Sequence, residues 1–272
     1  MSRMHKGWRI SRVEAPRWQG TITSSGLIGR HKGRVGLVVA NGPSLGLVGP
    51  DRLFRFIEQK KPIILGYNRM WEAFGEGTRN IYCHYFGVLD ASFWRKNYRK
   101  IEAWLNEHEH RPTLLLHFRP SPTQEYINLH LSEGMQAKQK PRYMPGQIFN
   151  GFNGGNAMIQ VAVHMGFSDV FIIGCDCGTY EGQTHAWGTR EIHPTYRQGD
   201  RFLPGFNHLP EWAEPTGVRL WNLSLISRIT AIPKVDIDSL LAGNRVDQSI
   251  VEGQPLPLAM SHSEAVAARN AN

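Results

Sequence analysis

Short apolar segments alternate along this chain with amphipathic segments of helical length, and this alternation limits its fold more than any other feature. The strand-like segments are residues 35–40, 62–68, 80–90, 113–118, 169–176 and 218–223, and the helix-like segments are 51–60, 93–107, 155–165 and 207–214. Strand–helix–strand repetition predicts an α/β protein with a Rossmann-like, mostly parallel sheet and helices on both faces. We expect one nucleotide-binding domain over residues 35–241, with a lid-like excursion at 119–148 and a polar loop at 177–206.

Positive charge is concentrated before this domain. The net charge is +8, and residues 1–34 hold eight lysines and arginines against one glutamate. We therefore expect a basic N-terminal arm over residues 1–34, and a loose C-terminal tail over 242–272. The arm is either a solvated leader or a binding element for an anionic surface, such as nucleic acid, lipid headgroups or an acidic glycan. Trp8 and Trp18 could add stacking contacts, or could pack on the domain.

Several classes of protein are excluded by what the sequence lacks. No apolar run approaches the ~20 residues of a membrane span, and no apolar signal segment follows the basic start, so a cytoplasmic protein is expected. The three cysteines, Cys83, Cys175 and Cys177, suit neither a disulfide framework nor a zinc site. The glycine-rich dinucleotide fingerprint, the P-loop and the hydrolase nucleophile elbow are absent. Asp236 and Asp238 are interpreted as a chance pair near the tail, away from the predicted site.

Small and polar residues follow the predicted central strands. They are Asn41, Gly42 and Ser44 after the first strand, Asn68 after the second, Asp176 after the fifth, Asn222 in the last, and Asn153, Gly154 and Gly155 at a helix start. The carboxyl ends of parallel strands gather along one edge of a sheet, where α/β proteins bind ligands. The amide groups at the helix start would attract a phosphate. Turn chemistry explains any one of these clusters alone, but together they predict a nucleotide-type pocket.

Four motifs occur in an order that resembles a known superfamily. They are VVANGPSL at 38–45, GYNRMWEAFG at 66–75, GGNAMIQVAVHMGFSDVFIIGCD at 154–176 and GQTHAWGT at 182–189, and VRLWNLSLISRI at 218–229 also fits. The resemblance, over about residues 35–235, is to Rossmann-like enzymes that include bacterial CMP-sialic acid-dependent sialyltransferases. The same superfamily includes the motility accessory factors that glycosylate flagellin and the MptE-like hydroxymethylpterin diphosphokinases.

The resemblance implies that a nucleotide is held at Asn41, Gly42, Ser44, Asn68, Asn153, Gly154 and Gly155. It implies that His185 stabilises the departing phosphate, and that a loop histidine accepts the proton of the acceptor hydroxyl; His193 is the first candidate and His208 the second. The arginine that sialyltransferases carry before the helix start is replaced here by Asn150-Gly151-Phe152, so the type of sugar stays open.

The expected function is therefore transfer of a sugar from a nucleotide-sugar donor to a hydroxyl on a glycan, a protein or a modified DNA, with no cofactor or metal required. One alternative is an MptE-like diphosphokinase that uses ATP and Mg²⁺, for which Asp176 is the strand-end carboxylate placed to hold the metal. The other is a nucleic-acid-associated module that works through its basic arm.

Overall fold

The computed structural model describes residues 22–70, 81–107, 111–118, 126–129, 131–134, 142–150, 153–181, 183, 185–186 and 199–251. Its strands are β1 (Ile22–Thr23), β2 (Val35–Val39), β3 (Ile63–Tyr67), β4 (Tyr85–Val88), β5 (Thr113–Leu116), β6 (Ile127–Asn128), β7 (Leu131–Gly134), β8 (Ile148–Asn150), β9 (Asp169–Ile173), β10 (Arg219–Asn222), β11 (Lys234–Val235) and β12 (Ile250–Val251). Ten of them form a central sheet in the order β1-β6-β5-β4-β3-β2-β9-β10-β11-β12, and β7 pairs with β8. Within the central sheet only the β11–β12 pairing is antiparallel.

Helices cover both faces of this sheet. They are α1 (Pro43–Lys60), α2 (Ala91–Glu107), α3 (Gly154–His164), α4 (Gly199–Asn207), α5 (Leu209–Ala213) and α6 (Ile237–Leu241). Apolar residues of α3, α4 and α5 pack on one face with side chains such as Val38 and Leu65. Those of α1, α2 and α6 pack on the other face with Leu37 and Ile64. Neighbouring residues of one strand thus belong to opposite cores, as the strand period of two requires, and the Rossmann-like prediction is confirmed.

The structure extends several predicted elements. The helix expected at 51–60 begins at Pro43 and is interrupted at Gly49, whose φ of 74° breaks the helical path just before Pro50. Residues 199–206, expected in the polar loop, belong to α4. In the expected excursion at 119–148, β6 is a strand of the central sheet, held by the Leu129 N–H donating to Leu116 O at 2.6 Å. None of the helices in the described part of the chain is long and apolar enough to span a membrane.

Both predicted terminal segments contribute described residues to the fold. Gly29 N–H donates to His164 O at 2.8 Å, and Gly33 N–H donates to Gly166 O at 2.9 Å. These bonds satisfy carbonyls at the end of α3, so residues 22–34 are packed in the fold and are not part of a free arm. Residues 1–21 lie outside the described chain. In the predicted tail, residues 246–249 form a 3-10 turn and Ile250–Val251 is the edge strand β12, whereas residues 252–272 are not described.

Candidate functional site

Successive strands are added on opposite sides of β2, at the centre of the sheet. From β2, the order β3, β4, β5 runs toward one side, and β9, β10, β11 runs toward the other. The carboxyl ends of β2 and β9 therefore diverge at a topological switch point, the usual ligand position in open α/β sheets. The two turns are bonded to each other, since Gly42 N–H donates to Gly174 O at 2.8 Å. Gly174 has a φ of 78°, which places its carbonyl in this close approach.

Asp176 lies beneath this turn, not on its surface. The side chain is 2% exposed. One carboxylate oxygen accepts the Ser44 N–H at 2.8 Å, and the other accepts the Ser224 hydroxyl. Burial raises the pKa of Asp176, and the hydrogen bonds from Ser224 and Ser44 and the charge of Lys234 act against that rise. The carboxylate thereby caps the start of α1, whose own cap residue, Gly42, has no side chain to do so.

Gly42 is required by the same packing. A Cβ atom at this position would lie 2.3 Å from Asp176 Oδ2 and 2.5 Å from Gly174 O. Asn222 is fully buried, and its Oδ1 accepts the Ser224 N–H at 3.0 Å, whereas its Nδ2 makes no hydrogen bond within the described part of the chain. The structure therefore brings Gly42, Ser44, Asp176 and Asn222 together, as a buried support that holds the turns of the switch point. Whether any of them touches a nucleotide stays a prediction.

Asn41 and Asn68 form a half-buried layer next to this support. Asn41 Nδ2 donates to Tyr67 O at 3.4 Å. Because a carbonyl only accepts, this bond fixes which end of the Asn41 amide is the oxygen. Asn41 Oδ1 and Asn68 Oδ1 are buried, and neither makes a hydrogen bond within the described part of the chain. Asn68 has a φ of 51°, a conformation that asparagine tolerates better than most residues.

The start of α3 lies beside these two asparagines. Asn153 is its N-cap, and its Oδ1 accepts the Gly155 N–H at 2.7 Å. A Cβ atom on Gly154 would lie 2.9 Å from the Tyr67 ring and 3.6 Å from Asn68 Nδ2. A Cβ atom on Gly155 would lie 2.8 Å from Tyr67 Oη. The glycines thus let the helix end approach β3 closely, and the predicted cluster of Asn68, Asn153, Gly154 and Gly155 is brought together.

The predicted catalytic histidines are placed unequally. His185 lies in a bend whose next residue, Ala186, donates its N–H to Asn41 O at 3.0 Å. This bond places the His185 segment at the start of α1, beside the asparagine layer. His193 lies outside the described residues. His208 precedes α5, where its N–H donates to Pro204 O at 3.3 Å, and no bond in the described chain joins it to Asn41 or Asn68.

Two contributors to the site were missed by sequence reasoning. Lys234 is 4% exposed, and its Nζ donates to Leu225 O at 2.8 Å while its charge faces Asp176. A lysine in an unremarkable segment gives no sequence signal for this role. Cys175 is buried against Tyr67 and Gly155, and burial raises the pKa of its thiol well above the usual value. Among the described residues, no three His, Cys, Asp or Glu side chains gather as a metal centre would require.

Comparison with known proteins gives structural likenesses alone. No protein-family model matches the chain. A search of curated proteins finds no match. The chain is similar to the sialyltransferase CstII from Campylobacter jejuni in complex with a substrate analogue, cytidine-5'-monophosphate, with 14% identity, 89% of this chain and 99% of that chain covered, and a TM-score of 0.46. The same enzyme in complex with CMP-3FNeuAc gives 15% identity, coverages of 87% and 99%, and a TM-score of 0.45. At these values neither likeness carries an argument about this chain, whose α/β fold is shown by its own strand order.

Proposed function

We propose that this protein is a glycosyltransferase that binds a nucleotide sugar at the carboxyl edge of β2, β3 and β9 and transfers the sugar to a hydroxyl acceptor. The observation that carries the proposal is a pair of amide oxygens at the switch point of the sheet, Asn41 Oδ1 and Asn68 Oδ1, that have no hydrogen-bond partner among the described residues. Buried polar atoms are normally hydrogen-bonded, so two that lack a partner among the described residues at a switch point support a ligand site there.

The chemistry of these atoms limits what can occupy the cleft. Amide oxygens accept hydrogen bonds, so they need a ligand that carries N–H or O–H groups. A phosphate alone is an acceptor and does not suit them, whereas ribose hydroxyls and base amino groups do. The start of α3 supplies the complementary feature for the phosphate, because the first N–H groups of a helix attract anions. Asn41 and Asn68 on one side and Gly154 on the other thus suit a nucleoside joined to a phosphate.

In the proposed reaction, an acceptor oxygen forms a bond to the anomeric carbon of the donor sugar. The bond from that carbon to the phosphate oxygen breaks, and the nucleotide leaves with the bonding electron pair. The acceptor proton passes to a general base, for which His193 is the candidate, and His185 stabilises the leaving phosphate. A positioned base of this kind contributes on the order of 10²–10⁴-fold to the rate. The contact of Ala186 with Asn41 supports the place given to His185.

The diphosphokinase alternative needs a carboxylate for Mg²⁺, and Asp176 does not fit that task. Both of its oxygens accept hydrogen bonds, and the side chain is 2% exposed. Mg²⁺ takes oxygen ligands in a nearly octahedral shell that includes several waters. The buried Asp176 leaves no room for such a shell, so the geometry favours sugar transfer.

The test is a thermal-shift screen of the full chain with CMP, UDP, GDP, ADP and ATP, each with and without Mg²⁺. A ligand at 100 times its Kd stabilises the native state by about 2.7 kcal/mol. We expect stabilisation by CMP or UDP without metal. Asn41→Ala is expected to weaken that binding about tenfold, the effect of one hydrogen bond. The matched control is Asn244→Ala at an exposed asparagine bonded to Ser239. A melting temperature unchanged by every nucleotide would overturn the proposal, and a shift with ATP only in the presence of Mg²⁺ would favour the diphosphokinase.

A further inference from the structure

A second group of polar side chains ends the next two strands at the same edge. Asp90 follows β4 and His117 directly follows β5, and both strands are parallel to β3 and lie in the order β5-β4-β3. Neighbouring strands are about 4.8 Å apart, so the end of β5 stands roughly 10 Å from Asn68 along the edge. Asp90 and His117 therefore lie along the same edge of the sheet as the proposed nucleotide site, beyond Asn68.

His117 has an unused polar atom in this region. Its Nδ1 is buried and makes no hydrogen bond within the described part of the chain. Burial lowers the pKa of His117, and the charge of Asp90 acts in the opposite direction. A neutral imidazole carries one donor and one acceptor nitrogen, so it suits a hydroxyl group, which does both. A buried ring nitrogen without a partner destabilises the fold, and its presence at this edge indicates a ligand group.

Asp90 is held in place by the start of α2. Its Oδ1 accepts three hydrogen bonds, from Ser92 N at 2.7 Å, from Ser92 Oγ at 2.7 Å and from Phe93 N at 3.1 Å. These bonds fix the carboxylate without burying it, because Asp90 is exposed. They also lower the pKa of Asp90 against the effect of burial. The group is therefore an anchored, ionised acceptor at the end of β4.

Aromatic rings flank these two polar groups. The rings of His117 and Phe118 meet edge to face with centroids 5.3 Å apart, and Phe118 lies 6.2 Å from Trp94. Trp94 is held next to Asp90, because its backbone N–H donates to Asp90 O at 2.9 Å. Trp94 is 7% exposed and belongs to the core, so the half-buried Phe118 ring is the aromatic surface near the two polar groups. An aromatic surface with a few fixed polar groups is typical of small-molecule sites, and it suits a sugar ring, which has both C–H faces and hydroxyl edges.

We propose that His117 and Asp90 form a subsite for a sugar ring beside the nucleotide site, where they bind its hydroxyl groups against the Phe118 ring. The proposal rests on the proposed function, because the sugar is either that of the donor nucleotide sugar or that of the acceptor. His117 is a specificity-determining residue of this subsite, and the nucleotide itself is bound without it.

The experiment compares affinities in wild type, His117→Phe and Asp90→Asn by titration calorimetry. One arm uses CMP, UDP, CMP-N-acetylneuraminate, UDP-glucose and UDP-N-acetylglucosamine. The other uses free glucose, galactose and N-acetylglucosamine at saturating nucleotide. We expect His117→Phe to weaken sugar binding about tenfold and to change the affinity for bare nucleotide less than twofold. Loss in the first arm assigns the subsite to the donor sugar, and loss in the second arm alone assigns it to the acceptor. Arg99→Gln, on the exposed side of α2, is the matched control.

The stability of the unliganded variant separates a binding role from a structural one. Phenylalanine has nearly the shape of histidine and removes the unpaired nitrogen, so the melting temperature of His117→Phe is expected to stay the same or rise. A large fall would show that the ring nitrogen serves the fold and would overturn the subsite. Equal sugar affinities in wild type and both variants, with nucleotide binding intact, would also overturn it. Absence of nucleotide binding in wild type would instead refute the proposed function, while the melting temperature still tests His117.

Discussion

The hydrogen bonding of buried polar groups differs between the two ends of the parallel strands, the amino edge and the carboxyl edge of the central sheet. At the amino edge, where the parallel strands begin, such groups have partners within the protein. His31 Nε2 lies 2.8 Å from Tyr85 Oη, and His84 Nδ1 accepts the Ile64 N–H at 3.0 Å. Asp169 accepts the Trp221 indole N–H at 2.8 Å and also pairs with an arginine of β10.

At the carboxyl edge, several polar atoms are instead left without partners. Asn41 Oδ1, Asn68 Oδ1 and His117 Nδ1 are buried, and none makes a hydrogen bond in the described chain. Similar residue types thus stabilise the fold at one edge and are available to a ligand at the other. Pairing therefore distinguishes Asn41, Asn68 and His117 from the polar groups of the amino edge, whereas residue type and burial do not. It is not sufficient alone, because Asn222 Nδ2 and Asn156 Nδ2, in fully buried side chains, also lack a partner in the described chain.

The largest expected effect comes from Asp176, which belongs to the carboxyl edge but is paired. Asp176→Ala removes the acceptor of Ser44 N–H and Ser224 Oγ and leaves the nearly buried charge of Lys234 unbalanced. A buried donor left without its acceptor costs about 1–3 kcal/mol, so the loss of both acceptors costs about 2–6 kcal/mol. We expect that loss in the free energy of unfolding, measured by urea denaturation.

Asn41→Ala is the comparison variant, because Asn41 Oδ1 has no partner among the described residues and Nδ2 donates a long bond, of 3.4 Å, to Tyr67 O. Its free energy of unfolding is expected to change by no more than about 0.5 kcal/mol. If Asp176→Ala proved as stable as Asn41→Ala, pairing would not distinguish the support from the ligand-binding layer.

The amino edge is expected to make folding sensitive to acid. Burial lowers the pKa of His31 from 6.5 to about 4, with Arg30 and Arg34 adding to the effect, and the pKa of His84 is lowered to about 4 by the same main cause. Below pH 6.5 the unfolded chain therefore binds protons at His31 and His84 that the native state does not bind. Stability is complete above about pH 6.5 and is lost as the pH falls to about 4, by about 3 kcal/mol for each histidine.

Urea denaturation at intervals between pH 7 and pH 4 measures this slope. His31→Phe keeps a ring against Phe167, on which His31 is stacked at 5.5 Å between centroids. The variant is expected to lose about half of the acid dependence assigned to His31 and His84, whatever its stability at pH 7. An unchanged slope in His31→Phe would mean that His31 binds protons equally in the native and unfolded states, which would contradict the prediction.

The sequence was sufficient for the parts of the fold that depend on local pattern. Residues such as Leu37 and Val38 alternate between two cores, and the strand and helix periods at 35–40 and 155–165 identify their elements directly. The pattern did not reveal that residues 22–34 are packed, because their partners are the carbonyls at the end of α3, more than a hundred residues away. A basic segment whose backbone caps a distant helix has the same composition as a free arm.

The site was predicted as a set of residues but not as two layers. Strand-end position identified Asn41, Asn68 and Asp176 alike, and all three lie at the carboxyl edge. Which of them is paired depends on Ser224 and Lys234, which reach Asp176 from β10 and β11. Contacts of this kind depend on the order of the strands in the sheet. The spacing of apolar residues within one segment predicts a strand or a helix but does not predict that order.

The smallest effects concern Asp236 and Asp238, which the sequence placed away from the site. Because β11 is parallel to β10, Asp236 in fact ends a strand at the carboxyl edge. Its oxygens accept the N–H groups of Asp238 and Ser239 at 3.2 and 3.0 Å, so it is the N-cap of α6. Asp236→Ala is therefore expected to lower the free energy of unfolding by about 1 kcal/mol.

Asp238→Ala is the matched control for this cap. Asp238 pairs with Arg52 at 3.4 Å, but both side chains are about half exposed, so its loss is expected to change stability by less than about 0.5 kcal/mol. Neither variant should alter the affinity for CMP or UDP, because the Asp236 oxygens already have partners in α6. A loss of nucleotide affinity in Asp236→Ala at unchanged stability would show that a paired carboxylate at this edge also binds ligand, and pairing would then no longer separate the two kinds of residue.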